Sequence, residues 1–145
     1  MKTKIFNTKF EVSMRLLLLL HTFNKGLDEE RILYLDFFII YAKNYKLGNE
    51  NINGDSKYML NEFTAQRKLI KDSIKELVLE GFINVKNTKD GFLYIISNEG
   101  MLFCNSMTSD YSKKYKNQAL ITKEYFLEKE IKDIKNYSKR MEDSK

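Results

Sequence analysis

The sequence predicts an α+β fold, mainly α, in which three helices precede a β-hairpin and further helices follow it. Two observations carry this reading. First, Asn61–Gly100 holds one amphipathic run, a Gly stop and two short β-prone runs around a turn. Second, two strongly apolar stretches at helical spacing precede it.

In the first of these segments Leu69, Ile70, Ile74, Leu77 and Val78 recur on one face, while Arg67, Lys68, Lys71, Asp72, Lys75 and Glu76 take the other. Glu80-Gly81 ends the helix, because Gly accepts the left-handed conformation after a last turn. Phe82–Lys86 and Phe92–Ile96 then flank Asn87–Gly91, whose Asp-Gly pair favours a hairpin turn. Helix followed directly by hairpin is the second half of a winged helix, a fold that mostly binds nucleic acid or protein.

Upstream, Thr8 or Asn7 caps a first helix over about 10–24, closed by Gly26, after an extended lead-in over 1–9. Its leucine run, Leu16–Leu20, makes it apolar around most of its circumference, as a central core helix must be. Asp28 caps a second helix running to about Asn44, with Glu29 and Glu30 at its positive end. Lys46–Lys57 is a polar, aperiodic connection. It is longer than the turn before the recognition helix of a DNA-binding winged helix. Downstream, Ser97 or Asn98 caps a short helix to about Met107, with Leu102, Phe103 and Cys104 on a core face. Thr108–Asp110 starts a last helix. The winged-helix domain is placed over 1–120 and a charged C-terminal helix or tail over 121–145. There Tyr125, Phe126, Ile131 and Ile134 leave a thin apolar stripe suited to partner docking or to a frayed, solvated end.

Composition narrows the function classes. With 145 residues, 43% apolar, the chain can bury one real core. A net charge of +5 permits nucleic-acid contact without requiring it. Neither Leu16–Leu20 nor 32–42 approaches the roughly 20 apolar residues a membrane span needs. One cysteine, Cys104, and one histidine, His21, leave no disulfide, no thiolate metal cluster and no two-histidine zinc site. The lone thiol suits a reducing cytoplasm. No Gly-rich phosphate loop is present. The sequence therefore predicts no enzyme, no catalytic residue, no metal and no cofactor.

Two clusters remain. Glu11 and Arg15 lie four apart on the first helix and can pair along it. Asp36 interrupts a run of large apolar residues, where a buried carboxylate is costly without a partner. Either it faces Arg15 or Arg31, so that Glu11, Arg15, Arg31 and Asp36 form a structural polar cluster, or it points to solvent. The second cluster is basic. Arg67, Lys68, Lys71 and Lys75 on the third helix, with Lys86 and Lys89 on the hairpin, are candidate contacts to nucleic acid or to a partner. Asp72, Glu76 and Asp90 on the same elements favour a solvated or protein-binding face over DNA reading.

The order of these features resembles the middle component of the ABC-three-component systems, the bacterial antiphage group that includes Lamassu. Phe6, Glu11, Arg15 and the Leu16–Leu20 run match its opening; Arg31, Leu33, Leu35, Asp36 and Phe37 match its second helix. Gly81-Phe82, then Gly91, Phe92 and Tyr94, match its helix end and wing; Gly100, Phe103, Ser109 and Tyr111 match its close. The resemblance spans about 6–120 and rests on order and spacing. The chain departs from it at Asn51–Gly54, where the family often has a His-Pro stretch, and lacks the tryptophan of its closing helix. The resemblance implies a non-catalytic subunit that holds an effector, such as a nuclease, against an SMC- or Rad50-like ATPase, with non-specific DNA contact and no membrane. The alternative is a free-standing winged-helix transcription regulator.

Overall fold

A computed structural model describes residues 8–143. Phe6 and the lead-in over residues 1–7 lie outside the described residues. Six helices and one two-stranded antiparallel sheet are described, in the order α1 (Lys9–Phe23), α2 (Glu29–Ile40), α3 (Met59–Leu79), β1 (Ile83–Thr88), β2 (Gly91–Ile96), α4 (Asn98–Asn105), α5 (Asp110–Phe126) and α6 (Ile131–Asp143). The mainly helical α+β class expected from sequence is the one found.

Local signals set most boundaries. Thr8, Asp28, Ser97 and Ser109 each cap a helix, their side-chain oxygens accepting backbone N–H groups of the first turn. The end of α1 differs from expectation. Asn24, not Gly26, takes the left-handed turn (φ 50°) and donates its N–H to Leu20 O. Asn shares with Gly a tolerance for that region. Gly26 serves packing instead, since a Cβ there would lie 3.1 Å from Leu93 Cβ. The second helix stops at Ile40 rather than Asn44, and 41–50 continue as turns and bends.

At the far end of α3, Gly81 (φ 84°) lets the chain reverse, with Phe82 N–H on Leu77 O. The hairpin follows in the register Ile83 opposite Ile96 through Thr88 opposite Gly91. A third backbone pairing was not expected from sequence. Leu27, between α1 and α2, bridges Tyr94 through N–H···O bonds of 3.0 and 2.8 Å, fastening the hairpin to the helical layer.

The core lies where α1 is surrounded. Leu16 through Leu20 are all buried, as the circumferential apolarity of that run requires. From α2 come Ile32, Leu33, Leu35 and Phe37–Ile40; Ile70, Ile74 and Leu77 come from α3, and Tyr115 and Ala119 from α5.

Three expectations about this core are corrected. On α4, Cys104 is buried but Leu102 is 70% and Phe103 38% exposed, because the short helix turns only its Gly100–Cys104 side inward. The connection over 41–58 is a packed element. Tyr45 and Leu47 are buried, and Asn51 accepts from Lys43 N–H while donating to Asn44 and Asp55. Gln118 of α5 and Tyr137 of α6 donate to the carbonyls of Leu47 (3.0 Å) and Tyr45 (2.6 Å). Finally, the C-terminal stripe is helical and divided, with Phe126 and Ile134 in the core and Tyr125 on the surface. Residue 120 falls inside α5, and α6 folds back so that Phe126 and Ile134 are buried. Phe126 packs between Phe38 and Tyr137, with ring centroids 5.2 Å from each.

Candidate functional site

Arg15 and Asp36, from the middles of α1 and α2, form the buried centre of the molecule. Arg15 Nε and Nη2 donate to Asp36 Oδ1 and Oδ2, each at 3.1 Å, in the two-pronged geometry that matches guanidinium to carboxylate. Tyr115 of α5 donates its hydroxyl to the same Oδ1 at 2.7 Å, and Arg15 Nη2 reaches Gln66 Oε1 of α3 at 3.4 Å. Both charged residues are fully inaccessible to solvent. Four helices thus converge on one ion pair.

Burial works against the guanidinium charge, but the Asp36 charge and hydrogen bonds outweigh it and hold Arg15 protonated. Burial, reinforced by the Asp36 charge, raises Tyr115 well above its usual value. Burial lifts the neighbouring Tyr111 to about 12. These groups are locked in their resting protonation states. The cluster links α1, α2, α3 and α5 through side-chain hydrogen bonds.

Of the four residues expected to cluster, Arg15 and Asp36 meet, and the solvent-facing alternative for Asp36 is excluded by its burial. Arg31 instead turns back to the cap residue Asp28. Glu11 lies in the first turn of α1, where its N–H donates to Thr8 Oγ1, and the Arg15 guanidinium reaches across to α2 and α3. Sequence reasoning missed Tyr115 and Gln66. The buried polar Gln66 on the apolar side of α3 was the available signal.

The basic candidates are all exposed, but they are not equally free. Arg67 Nη1 bonds both carboxylate oxygens of Glu30 on α2, at 3.0 and 3.1 Å, and Lys68 pairs with Asp72 at 3.4 Å. At 3.6 residues per turn, Arg67, Lys71 and Lys75 fall along one edge of the exposed face of α3. Asp72, Glu76 and Glu80 fall along the other. The acidic edge borders α1, where Lys9 pairs with Glu76 at 2.6 Å. Lys86 and Lys89 stand exposed on the hairpin.

Among the C-terminal candidates, Phe126 and Ile134 are core residues and Ile131 is half-buried, which leaves Tyr125, 57% exposed, on the surface. Leu120 and Ile121 lie exposed on the same helix. Cys104 is buried, and burial raises its thiol to about 11, which makes it an inert hydrophobe at neutral pH. His21 is half-buried in the last turn of α1. Among the described residues no cluster of three or more His, Cys, Asp or Glu side chains could hold a metal, and no helix is long and apolar enough to cross a membrane.

No curated protein and no solved structure matches the chain. A family model does, over residues 5–145, so the match takes in the buried ion pair, the hairpin and the C-terminal helices together. By that match the chain belongs to the family described as ABC-three component (ABC-3C) system Middle Component 2.

Proposed function

We propose that this protein is a non-catalytic accessory subunit of an antiphage defence complex, in which it bridges an SMC- or Rad50-like ATPase and an effector such as a nuclease. The observation that carries the reading is family membership over nearly the whole chain: a middle component works with the other components of its system. The bridging role is an analogy from the resemblance to the Lamassu-type group.

The architecture supports it. Three helices, a bridging residue at Leu27 and a hairpin occur in the order of a winged helix, with the Leu27–Tyr94 pairing in the place of that fold's first strand. Large apolar side chains stand exposed on several elements, among them Phe10 on α1, Phe92 on the hairpin and Leu120 and Tyr125 on α5. Exposed aromatic and aliphatic groups in such numbers suit a chain that is covered in an assembly. The Arg67–Glu30 pair and the acidic edge of α3 weigh against the alternative of a free-standing DNA-reading regulator, since they neutralise or oppose the charge that phosphates need.

Co-expression with an ATPase and an effector of an ABC-three-component system from the same genome, followed by size-exclusion chromatography, tests the reading. A complex containing all three is expected. Tight, sequence-specific binding of the isolated chain to its own promoter, with no co-elution, overturns it.

A further inference from the structure

The packing of α5 leaves one side of that helix facing outward. Tyr115, Ala119, Thr122 and Phe126 point into the core and are buried. At about 100° per residue, Lys113, Asn117, Leu120, Ile121, Glu124 and Glu128 fall within about 50° of the opposite direction and make one seam. All six are exposed, Leu120 by 53% and Ile121 by 42%. Glu128 extends the seam past Phe126 because Leu127 keeps right-handed helical backbone angles.

The charges on this seam run against what the helix alone favours. A cation, Lys113, stands toward the N-terminal end, and two anions, Glu124 and Glu128, stand toward the C-terminal end, each opposed by the helix dipole. The two glutamates lie four residues apart, where like charges repel. Among the described residues none of these three side chains has an ion-pair or hydrogen-bond partner, whereas the neighbouring Lys114 pairs with Glu50 at 3.4 Å.

The pattern is its own complement. Turned end for end about the midpoint between Leu120 and Ile121, the seam sets Lys113 opposite Glu128, Asn117 opposite Glu124 and Leu120 opposite Ile121. A two-fold axis makes each of these contacts twice, with aliphatic groups at the centre and charges at the rim. It also carries each Lys113 to the negative end of the other helix and the glutamates to the positive end. A parallel pairing would set like charge on like.

We propose that α5 is a dimerisation helix, seated antiparallel on α5 of a second copy of this chain with the two-fold axis at Leu120–Ile121. One helix pair is a small interface, so the dimer is reversible and depends on concentration. Its exposed ion pairs add little strength and serve to fix direction and register. The proposal goes beyond the accessory-subunit reading and stands or falls apart from it.

The test is sedimentation velocity of the full chain over a concentration series. Expected is a monomer–dimer equilibrium. Leu120→Ser combined with Ile121→Ser abolishes the dimer and leaves the thermal melt as in the wild type. Lys113→Glu or Glu128→Lys puts like charges at both rim contacts and weakens dimerisation by about tenfold. The two charge reversals in one chain restore it, because opposite charges meet again; a parallel pair or a contact elsewhere on the surface gives no such rescue. A chain that stays monomeric up to its solubility limit, a dimer indifferent to either reversal, or a double variant that is not restored overturns the proposal. A monomer that still co-elutes with other components of the system overturns the dimer alone, and a dimer that binds none of them overturns the subunit reading alone.

Discussion

Tyr115 Oη and Arg15 Nε donate to the same oxygen of Asp36, at 2.7 and 3.1 Å, so one carboxylate atom ties α5 and α1 to α2. Its second oxygen is taken by Arg15 Nη2. A buried ion pair with its lone pairs so satisfied is specific in geometry even where it adds little net stability.

Removing one partner should therefore be far worse than removing both. Asp36→Asn leaves a buried guanidinium without its counter-charge and is expected to cost about 3–5 kcal/mol in urea unfolding at pH 7. Arg15→Met combined with Asp36→Leu and Tyr115→Phe is expected to recover most of that loss. If Asp36→Asn melts like the wild type, the pair contributes nothing to the fold.

Burial raises Tyr45 and Tyr111 to about 12 and Tyr115 higher still, against an unfolded value near 10. A group whose folded value is raised adds stability that is complete below the unfolded value and is lost as pH climbs through the folded one. Stability should thus hold up to about pH 10 and fall steeply toward 12. Loss of helix by circular dichroism should coincide with the last part of the rise in tyrosinate absorbance above pH 10, the part that belongs to these three rings. Ionisation of all nine tyrosines before any loss of helix would contradict the burial of these three.

Cys104 should be silent to thiol reagents. With its side chain buried and its thiol raised to about 11, reaction with an aromatic disulfide at pH 8 is expected only at the rate of opening of the fold, and to be complete in denaturant. Rapid labelling of the native chain would place α4 in a loosely docked state.

How far this architecture was legible from sequence follows the range of the interactions. Caps and turns are local, and Asp28, Ser109 and the Asp90-Gly91 turn announce themselves through residue types that satisfy nearby backbone groups. The central position of α1 was legible because five consecutive leucines leave no side fit for water. Partner choice was not. Asp36 had two arginines in reach by sequence, and only the docking of four helices selects Arg15 and brings in Tyr115 from 79 residues away. Nor was the fold-back of α6, whose apolar residues are few. Its docking depends on Phe126, Tyr137 and Phe38 meeting as rings, and on Tyr137 finding the Tyr45 carbonyl across 92 residues.

Gly100 marks where α4 closes against the hairpin. A Cβ at this position would lie 2.4 Å from Phe82 O and 2.7 Å from Ile96 Cγ1. The first is backbone and cannot rotate away. Ser97 Oγ donates to Gly81 O nearby at 2.7 Å, so the joint is fixed from both sides. Gly100→Ala is expected to cost about 1–3 kcal/mol, as overpacking of a tight site does. It should also raise hydrogen exchange at Phe82 and Ser97 more than in α2.

The C-terminal surface calls for single substitutions, because its residues serve different ends. Phe126 is 6% exposed and touches the rings of Phe38 and Tyr137, whereas its neighbour Tyr125 is 57% exposed. Phe126→Ser should destabilise the isolated chain by about 3–5 kcal/mol, through the lost ring and the cavity it leaves. Tyr125→Ser should stay within about 0.5 kcal/mol of the wild type, as surface changes do. Loss of assembly in Tyr125→Ser at unchanged stability would place a docking contact on α5 beside Leu120 and Ile121. Full assembly in that variant would exclude Tyr125 as a docking contact, since a defect in Phe126→Ser alone reports on the fold and not on a partner.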